Sequence, residues 1–176
     1  MNKTLAVAAA LALLFTVGLA PRAQAVYFSA DVPVANTTEV GSDSDDLDSL
    51  SGYKLGVGNL VWWLGLGYES YTGKWKPSGS TSSIDFDYTF TDLLLDLPIP
   101  VVNITLGYGV GDIEAKFAGT KLASWDATQQ FINVGIPIAA IFDVHLGYHI
   151  IKGSSNDTGT DDLDATTTTV GVRVGF

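Results

Sequence analysis

The sequence predicts an all-β protein, a single eight-stranded antiparallel up-and-down transmembrane β-barrel that follows a cleaved signal peptide. Three observations predict it. Over stretches of about ten residues, apolar side chains alternate with polar or very small ones, which is the period of a strand and not of a helix. No segment beyond the leader reaches the roughly 18 consecutive apolar residues of a spanning helix. Yet the chain is 47% hydrophobic with a mean hydropathy of +0.26 while its formal net charge is −10. Something other than a spanning helix must accommodate that apolar surface.

The first 25 residues read as the leader. Lys3 supplies a positive start, Leu5 to Ala20 is an apolar run, and Pro21 precedes the small-x-small site Ala23-Gln24-Ala25. That order is a secretory signal peptide, with cleavage after Ala25. Residues 26–176 are then the barrel domain. Removing Lys3 and Arg22 leaves seven basic residues against 19 acidic ones, a formal charge of −12. Such a balance argues against nucleic acid as a partner and against a polybasic membrane-surface role. The chain has no cysteine, so an oxidising periplasm leaves it neither disulfides nor thiolate chemistry.

The strands are expected at 26–35, 51–58, 61–72, 83–96, 101–113, 125–136, 140–151 and 164–176. The last is the plainest: Val170, Val172, Val174 and Phe176 alternate with Gly171, Arg173 and Gly175. Phe142, Val144, Leu146, Tyr148 and Ile150 alternate with Asp143, His145, Gly147 and His149. Val102 to Val110 and Trp62 to Tyr68 repeat the pattern, with Gly65, Gly67, Gly107 and Gly109 on the small face. Glycine decides which face looks inward. It weakens a strand and gains nothing on a water-exposed face, whereas a narrow lumen needs small residues. The expected connections also alternate: short ones at Gly58-Asn59, 97–100 and Pro137-Ile138, and longer polar ones after the first, third, fifth and seventh strands. Short periplasmic turns and long external loops are how outer-membrane barrels are built.

Leu-Gly-Tyr occurs at 66–68, 106–108 and 146–148, 40 residues apart each time. Forty residues is two strands with their connections, so the three tyrosines fall at one level on the lipid face. Trp62 and Phe142, six residues earlier on two of those strands, form a second aromatic row near the periplasmic turns. The fourth strand departs from the pattern. Ile84, Phe86, Tyr88 and Phe90 are expected to face lipid, with Asp85 and Asp87 inward. Asp92 breaks that phase, and a bulge near Thr91-Asp92 would restore Leu93 and Leu95 to the outside.

A cleaved leader, alternating strands and the terminal VGVRVGF resemble the OmpA/OmpX-like small outer-membrane barrels. The resemblance implies location in a bacterial outer membrane after export through the periplasm. It also implies that Phe176 ends the signal read by the barrel-assembly machinery, and that outer-membrane lipid and lipopolysaccharide are the surroundings of a monomer. It leaves no room after Phe176 for a peptidoglycan-binding domain. Its motifs assign a fold, not a ligand.

Three constellations are candidates for function. In the lumen, Asp31, Lys54, Glu69, Asp143, His145, His149 and Arg173 are expected as a network of paired charges, since buried charges need partners. Asp143 with Arg173, and Asp31 with Lys54, stand at matching heights. A gated narrow pore is the alternative use of the same residues. Second, Asp143, His145 and His149 share a face near Ser154 and Ser155, the residue types of an acyl hydrolase. Lipid A deacylases of this size carry His-x-Ser on one strand, but here His145 is followed two residues later by Gly147, so no catalytic residue is assigned. Third, the first and last external loops both contain Asp-Asp-Leu-Asp: Asp45, Asp46 and Asp48 in one, Asp161, Asp162 and Asp164 in the other. Carboxylates suit calcium or magnesium, although no EF-hand spacing is present. No cofactor is expected beyond possible Ca²⁺ there. The expected function is non-enzymatic, contributing to envelope integrity or surface interaction through the acidic loops. A narrow, porin-like channel and a lipid A-modifying enzyme are the alternatives.

Overall fold

The computed structural model describes residues 26–41, 43–76, 82–97, 99, 102–139 and 141–175. The expected leader and Phe176 lie outside them. The strands are β1 (Tyr27–Val40), β2 (Asp43–Asp46), β3 (Asp48–Val61), β4 (Leu64–Trp75), β5 (Ile84–Leu97), β6 (Asn103–Phe117), β7 (Thr120–Ala139), β8 (Phe142–Ser155) and β9 (Leu163–Gly175). All pairings are antiparallel, and β1 pairs with β9, which closes the sheet. β3 pairs with the inner end of β1 and β2 with its outer end, so these two pieces, interrupted at Leu47, form one barrel strand. The barrel therefore has eight strands. The pairing of β1 with β9 closes the sheet, the condition for placing strands in lipid, and among the described residues the outer piece β2 pairs with β1.

Side chains sort by the strand period. Phe28, Val32, Leu55, Leu66, Tyr68, Leu93, Leu106, Tyr108, Val134, Leu146, Tyr148 and Val172 are exposed on the outer wall. Water does not tolerate an apolar belt of that extent on a monomer; lipid does. Tyr68, Tyr108 and Tyr148 are 44%, 49% and 48% exposed, as three lipid-facing tyrosines should be.

The hydropathy of the outer wall then inverts, once on each strand from β4 to β9. On β5, Leu95 and Leu93 face out, but Phe90, Tyr88 and Phe86 face in, with exposures of 0%, 0% and 7%. On β6 the apolar face passes from Val110 outside to Ile113 inside; on β7, from Ile132 outside to Trp125 and Ala127 inside. On β8, Ile150 is outward and its neighbour Ile151 inward, and on β9 Val170 gives way to Ala165 and Leu163. β4 makes the same change between Tyr68 and Tyr71. Beyond the switch the outer wall carries Thr72, Lys74, Asp87, Thr89, Asp112, Glu114, Asp126 and Lys152, none of them buried.

This corrects the reading of β5. No register shift interrupts its pairing with β4 or β6, so there is no bulge at Thr91-Asp92. The aromatic residues expected toward lipid line the lumen, and Asp85 and Asp87 point outward. The sequence pattern changes phase because the outer wall passes from apolar to polar side chains, while the backbone keeps its register.

Three boundaries also differ. The reversal expected at Gly58-Asn59 falls at Trp62-Trp63, because β3 shifts register between Val57 and Val61 and delays the turn. The long loop expected after the fifth barrel strand is a two-residue turn at Ala118-Gly119, where both residues have positive φ, 48° and 80°. Such a turn matches the twist of a hairpin and lets β6 and β7 run on well past the apolar belt. On β1, a shift between Pro33 and Ala35 moves the inward phase from Asp31 to Asn36 and Thr38; proline, lacking an N–H, is tolerated at such a bulge.

Candidate functional site

The lumen is filled at two levels of opposite chemistry. The inner level, enclosed by the apolar belt, is charged. Lys54 Nζ lies 3.3 Å from Glu69 Oε2 and 3.1 Å from Asp92 Oδ2. Gln129 Nε2 donates to the same two carboxylates at 3.1 and 2.7 Å. The Lys54 ammonium sits 3.1 Å from the centre of the Phe131 ring, which also stacks on His149 at 4.6 Å, and an ammonium over an aromatic face is attracted to it. Toward the periplasmic end, His145 lies between two carboxylates, with Nε2 2.6 Å from Asp31 and Nδ1 3.4 Å from Asp143. Arg173 Nε is 3.2 Å from Asp143 Oδ2, and Nη1 is 3.5 Å from Asp96 Oδ1. Asp96 Oδ1 also accepts from the Tyr27 hydroxyl at 2.9 Å and from Thr105 at 2.5 Å.

All seven residues named as a lumen network point inward and are buried. Asp143 and Arg173 are opposite each other on β8 and β9 and in contact. Asp31 and Lys54 are opposite each other on β1 and β3, but Asp31 meets His145, and Lys54 meets Glu69 and Asp92. The sequence reading omitted Asp92, Asp96, Gln129 and Tyr27. Asp96 already faces inward once Leu93 and Leu95 are placed outside, and in the folded chain Asp92 shares that buried face. The glycines face large lumen side chains: Gly58 the Tyr27 ring, Gly107 the Phe131 ring, Gly147 Thr169 and Asn133, Gly171 Asp31 and His145.

Above this lies a collar of hydroxyls. Tyr71 and Tyr88 stack at 4.5 Å with an 8° interplanar angle. The Tyr71 hydroxyl is 2.7 Å from Thr167, the Tyr88 hydroxyl is 2.6 Å from Thr38, and Asn36 Nδ2 donates to Thr167 at 2.7 Å. An apolar filling packs around the collar and beyond it: Phe86, Phe90, Ile113, Trp125, Ile151 and Leu163 form one buried cluster with Tyr71 and Tyr88. The outer half is thus built like a water-soluble barrel, polar outside and apolar within.

The two Asp-Asp-Leu-Asp runs close its mouth. Leu47 and Leu163, the third residue of each, insert into the apolar cluster with exposures of 7% and 1%. A tryptophan indole donates to the first aspartate of each: Trp75 Nε1 to Asp45 Oδ2 at 2.6 Å, and Trp125 Nε1 to the Asp161 carbonyl at 2.9 Å. Asp46 accepts from the Thr37 hydroxyl, Asp162 from the Ser155 N–H, and Asp164 lies 3.2 Å from Lys152 Nζ. Asp48 stands opposite Lys74 in the pairing of β3 with β4. The acidic groups are therefore spread among donors of the rim. Among the described residues, no three histidine, aspartate or glutamate side chains come together as a metal site.

No protein-family profile matches the sequence, and no characterised protein matches it by sequence. Solved structures do match. Neisserial surface protein A (NspA) is 16% identical with a TM-score of 0.66, over 86% of this chain and 97% of its own. Ail, the attachment invasion locus protein of Yersinia pestis, crystallised with the heparin analogue sucrose octasulfate, is 18% identical with a TM-score of 0.59, over 86% and 99%. The N-terminal β-barrel domain of Pseudomonas aeruginosa OprF is 10% identical with a TM-score of 0.50, over 85% and 97%. At such identities the likeness is one of fold. With its lipid-facing belt and closed sheet, the chain has the fold of a small eight-stranded outer-membrane β-barrel.

Proposed function

We propose that this protein is a non-enzymatic, non-conducting outer-membrane barrel that holds a rigid, acid-rich platform outside the membrane for surface interaction and for envelope integrity. The observation that carries it is the inversion of the outer wall over a solid interior. Beyond the switch, β6 and β7 continue for about eight residues, which at a tilt near 40° is about 20 Å of water-facing barrel. A pore has no use for such a filling; a projecting platform needs it for stiffness.

Charge on the platform is uneven. Around β1, β2, β8 and β9 the rim carries Glu39, Asp45, Asp46, Asp157, Asp161, Asp162 and Asp164 against Lys152, all exposed. That side favours a basic partner and disfavours polyanions such as the heparin analogue bound to Ail. Outer-membrane lipid and lipopolysaccharide surround the belt, the barrel-assembly machinery inserts it, and the barrel works as a monomer. The non-enzymatic reading is supported by His145 being held between Asp31 and Asp143, by His149 facing Gln129 and Thr169, and by Ser155 Oγ donating to the Asp157 carbonyl.

Conductance and lipid chemistry test this together. The purified barrel in planar bilayers should give no steady openings above detergent controls, and its overexpression should leave the lipid A mass spectrum unchanged. Reproducible openings would favour the channel, and a new lipid A species the enzyme; either would overturn the proposal.

A further inference from the structure

The inner lumen does not balance its charge. Five of its carboxylates, Asp31, Glu69, Asp92, Asp96 and Asp143, are between 1% and 7% exposed. The fixed cations among the described lumen residues are Lys54 and Arg173, and each serves two carboxylates: Lys54 between Glu69 and Asp92, Arg173 between Asp96 and Asp143. His145 repeats the arrangement between Asp31 and Asp143, with a carboxylate oxygen at each ring nitrogen. An imidazole donates from both nitrogens only as the cation. His149 faces Gln129 Oε1 at 3.1 Å and Glu69 Oε2 at 3.6 Å through Nδ1, and Thr169 through Nε2. With His145 charged and His149 neutral, three positive charges meet five carboxylates. Charging His149 as well still leaves one carboxylate uncompensated.

A second observation points the same way. Asp31 Oδ2, Glu69 Oε1 and Asp96 Oδ2 are buried and have no hydrogen-bond partner. An unpaired charge inside a barrel within lipid is expensive, and such a site gains a counter-charge instead. The absence of three converging metal-ligating side chains among the described residues favours counter-charges taken singly, on separate oxygens. We propose that the inner lumen is a proton-binding compartment, which takes up protons onto its surplus carboxylates as the barrel folds. Two protons restore neutrality with His149 neutral, and one with His149 charged.

The compartment opens one way. The hydroxyl collar and the apolar cluster seal it from the outside, while Arg173 and Asp96, the least buried of the charged set at 11% and 10% side-chain exposure, stand at the periplasmic end. The groups facing Glu69 are Lys54 on β3, Asp92 on β5, Gln129 on β7 and His149 on β8. Those facing Asp96 are Tyr27 on β1, Thr105 on β6 and Arg173 on β9, with Asp143 beyond the guanidinium. Proton exchange therefore runs with the periplasm.

The test is reversible urea unfolding of the barrel in phosphatidylcholine vesicles between about pH 7.5 and about pH 9, above the range in which histidines of the unfolded chain titrate. A native state holding more protons than the unfolded chain loses stability as pH rises, by up to about ten-fold in the folding constant per pH unit for each proton. His145 contributes to that slope, so the assignment rests on two variants. Glu69→Gln and Asp96→Asn keep shape and remove a proton site; at least one should flatten the slope and fold more favourably than wild type near pH 9. The proposal is overturned by a flat or rising wild-type profile, or by slopes unchanged in both variants. A stability that follows sodium concentration at fixed pH would also overturn it, since metal cations would then hold the site.

Discussion

Leu47 and Leu163 flank β1 on its two sides, Leu47 donating its N–H to the Asn36 carbonyl and Leu163 standing opposite Val40. Each is the leucine of an Asp-Asp-Leu-Asp run, each is buried in the outer apolar cluster, and each run is tied down by a tryptophan. The repeat that reads in the sequence as a pair of acidic loops is, in the folded chain, a pair of stoppers. Leu163→Ala should cost about 2–5 kcal/mol, the range for emptying a packed site. Leu47→Ala, nearer the surface, should cost less. Equilibrium unfolding of the two variants checks the order.

The aspartates around those leucines act as hydrogen-bond acceptors of the rim. Asp45→Ala and Asp162→Ala, which remove the acceptor that Asn would keep, should each destabilise the barrel by about 1 kcal/mol, the usual net worth of one such bond. Added calcium should shift the melting of neither variant nor of wild type, because the carboxylates are already spread among protein donors. A calcium-dependent rise in melting temperature that Asp45→Asn abolishes would instead support a metal site there.

Arg173 is the cation on which Asp96 and Asp143 both depend. Arg173→Ala should cost about 3 kcal/mol or more, since it leaves buried Asp96 without a cation and Asp143 with His145 alone. Arg173→Ala combined with Asp143→Asn should cost less than the sum of the two single changes, as neighbours in one network do. A double-mutant cycle in folding free energy reads this; strict additivity would show that the contact at 3.2 Å carries no coupling.

Gly107 tests the filling of the inner lumen. A Cβ there would meet the Phe131 ring, which is held between Lys54 and His149. Gly107→Ala should destabilise by about 1–3 kcal/mol, the usual cost of overpacking. Gly119→Ala meets no atom within 4 Å but stands at a φ of +80°, so its smaller cost should come from backbone strain alone. Comparing the two separates crowding from conformation.

Much of this was legible in the sequence because lipid and lumen impose a period of two on every strand. The closed eight-stranded sheet, the tyrosines at 68, 108 and 148, and the facing of Asp143 and Arg173 all follow from it. What misled was the change of solvent halfway along the strands. On β5 the apolar residues Phe86, Tyr88 and Phe90 and the apolar residues Leu93 and Leu95 lie on opposite faces, and alternation alone reads that as a bulge. A phase change shared by β4 through β9 is the signature of a membrane surface, and it is recognised only when neighbouring strands are compared. The partners of Lys54 were not legible for another reason. Asp92 on β5 and the Phe131 ring on β7 reach it inside the lumen, and such contacts depend on which side chains fill a narrow interior.

The central claim is that the membrane surface crosses the barrel at this switch. The chain has no cysteine, so a single introduced thiol reports its own surroundings. Thr89→Cys and Thr128→Cys lie beyond the switch, and Leu93→Cys and Val134→Cys lie within the apolar belt. With the barrel in phospholipid nanodiscs, a charged, membrane-impermeant maleimide should label the first pair rapidly and leave the second pair unmodified. Protection of Thr89→Cys and Thr128→Cys, or equal labelling of all four, would contradict the account.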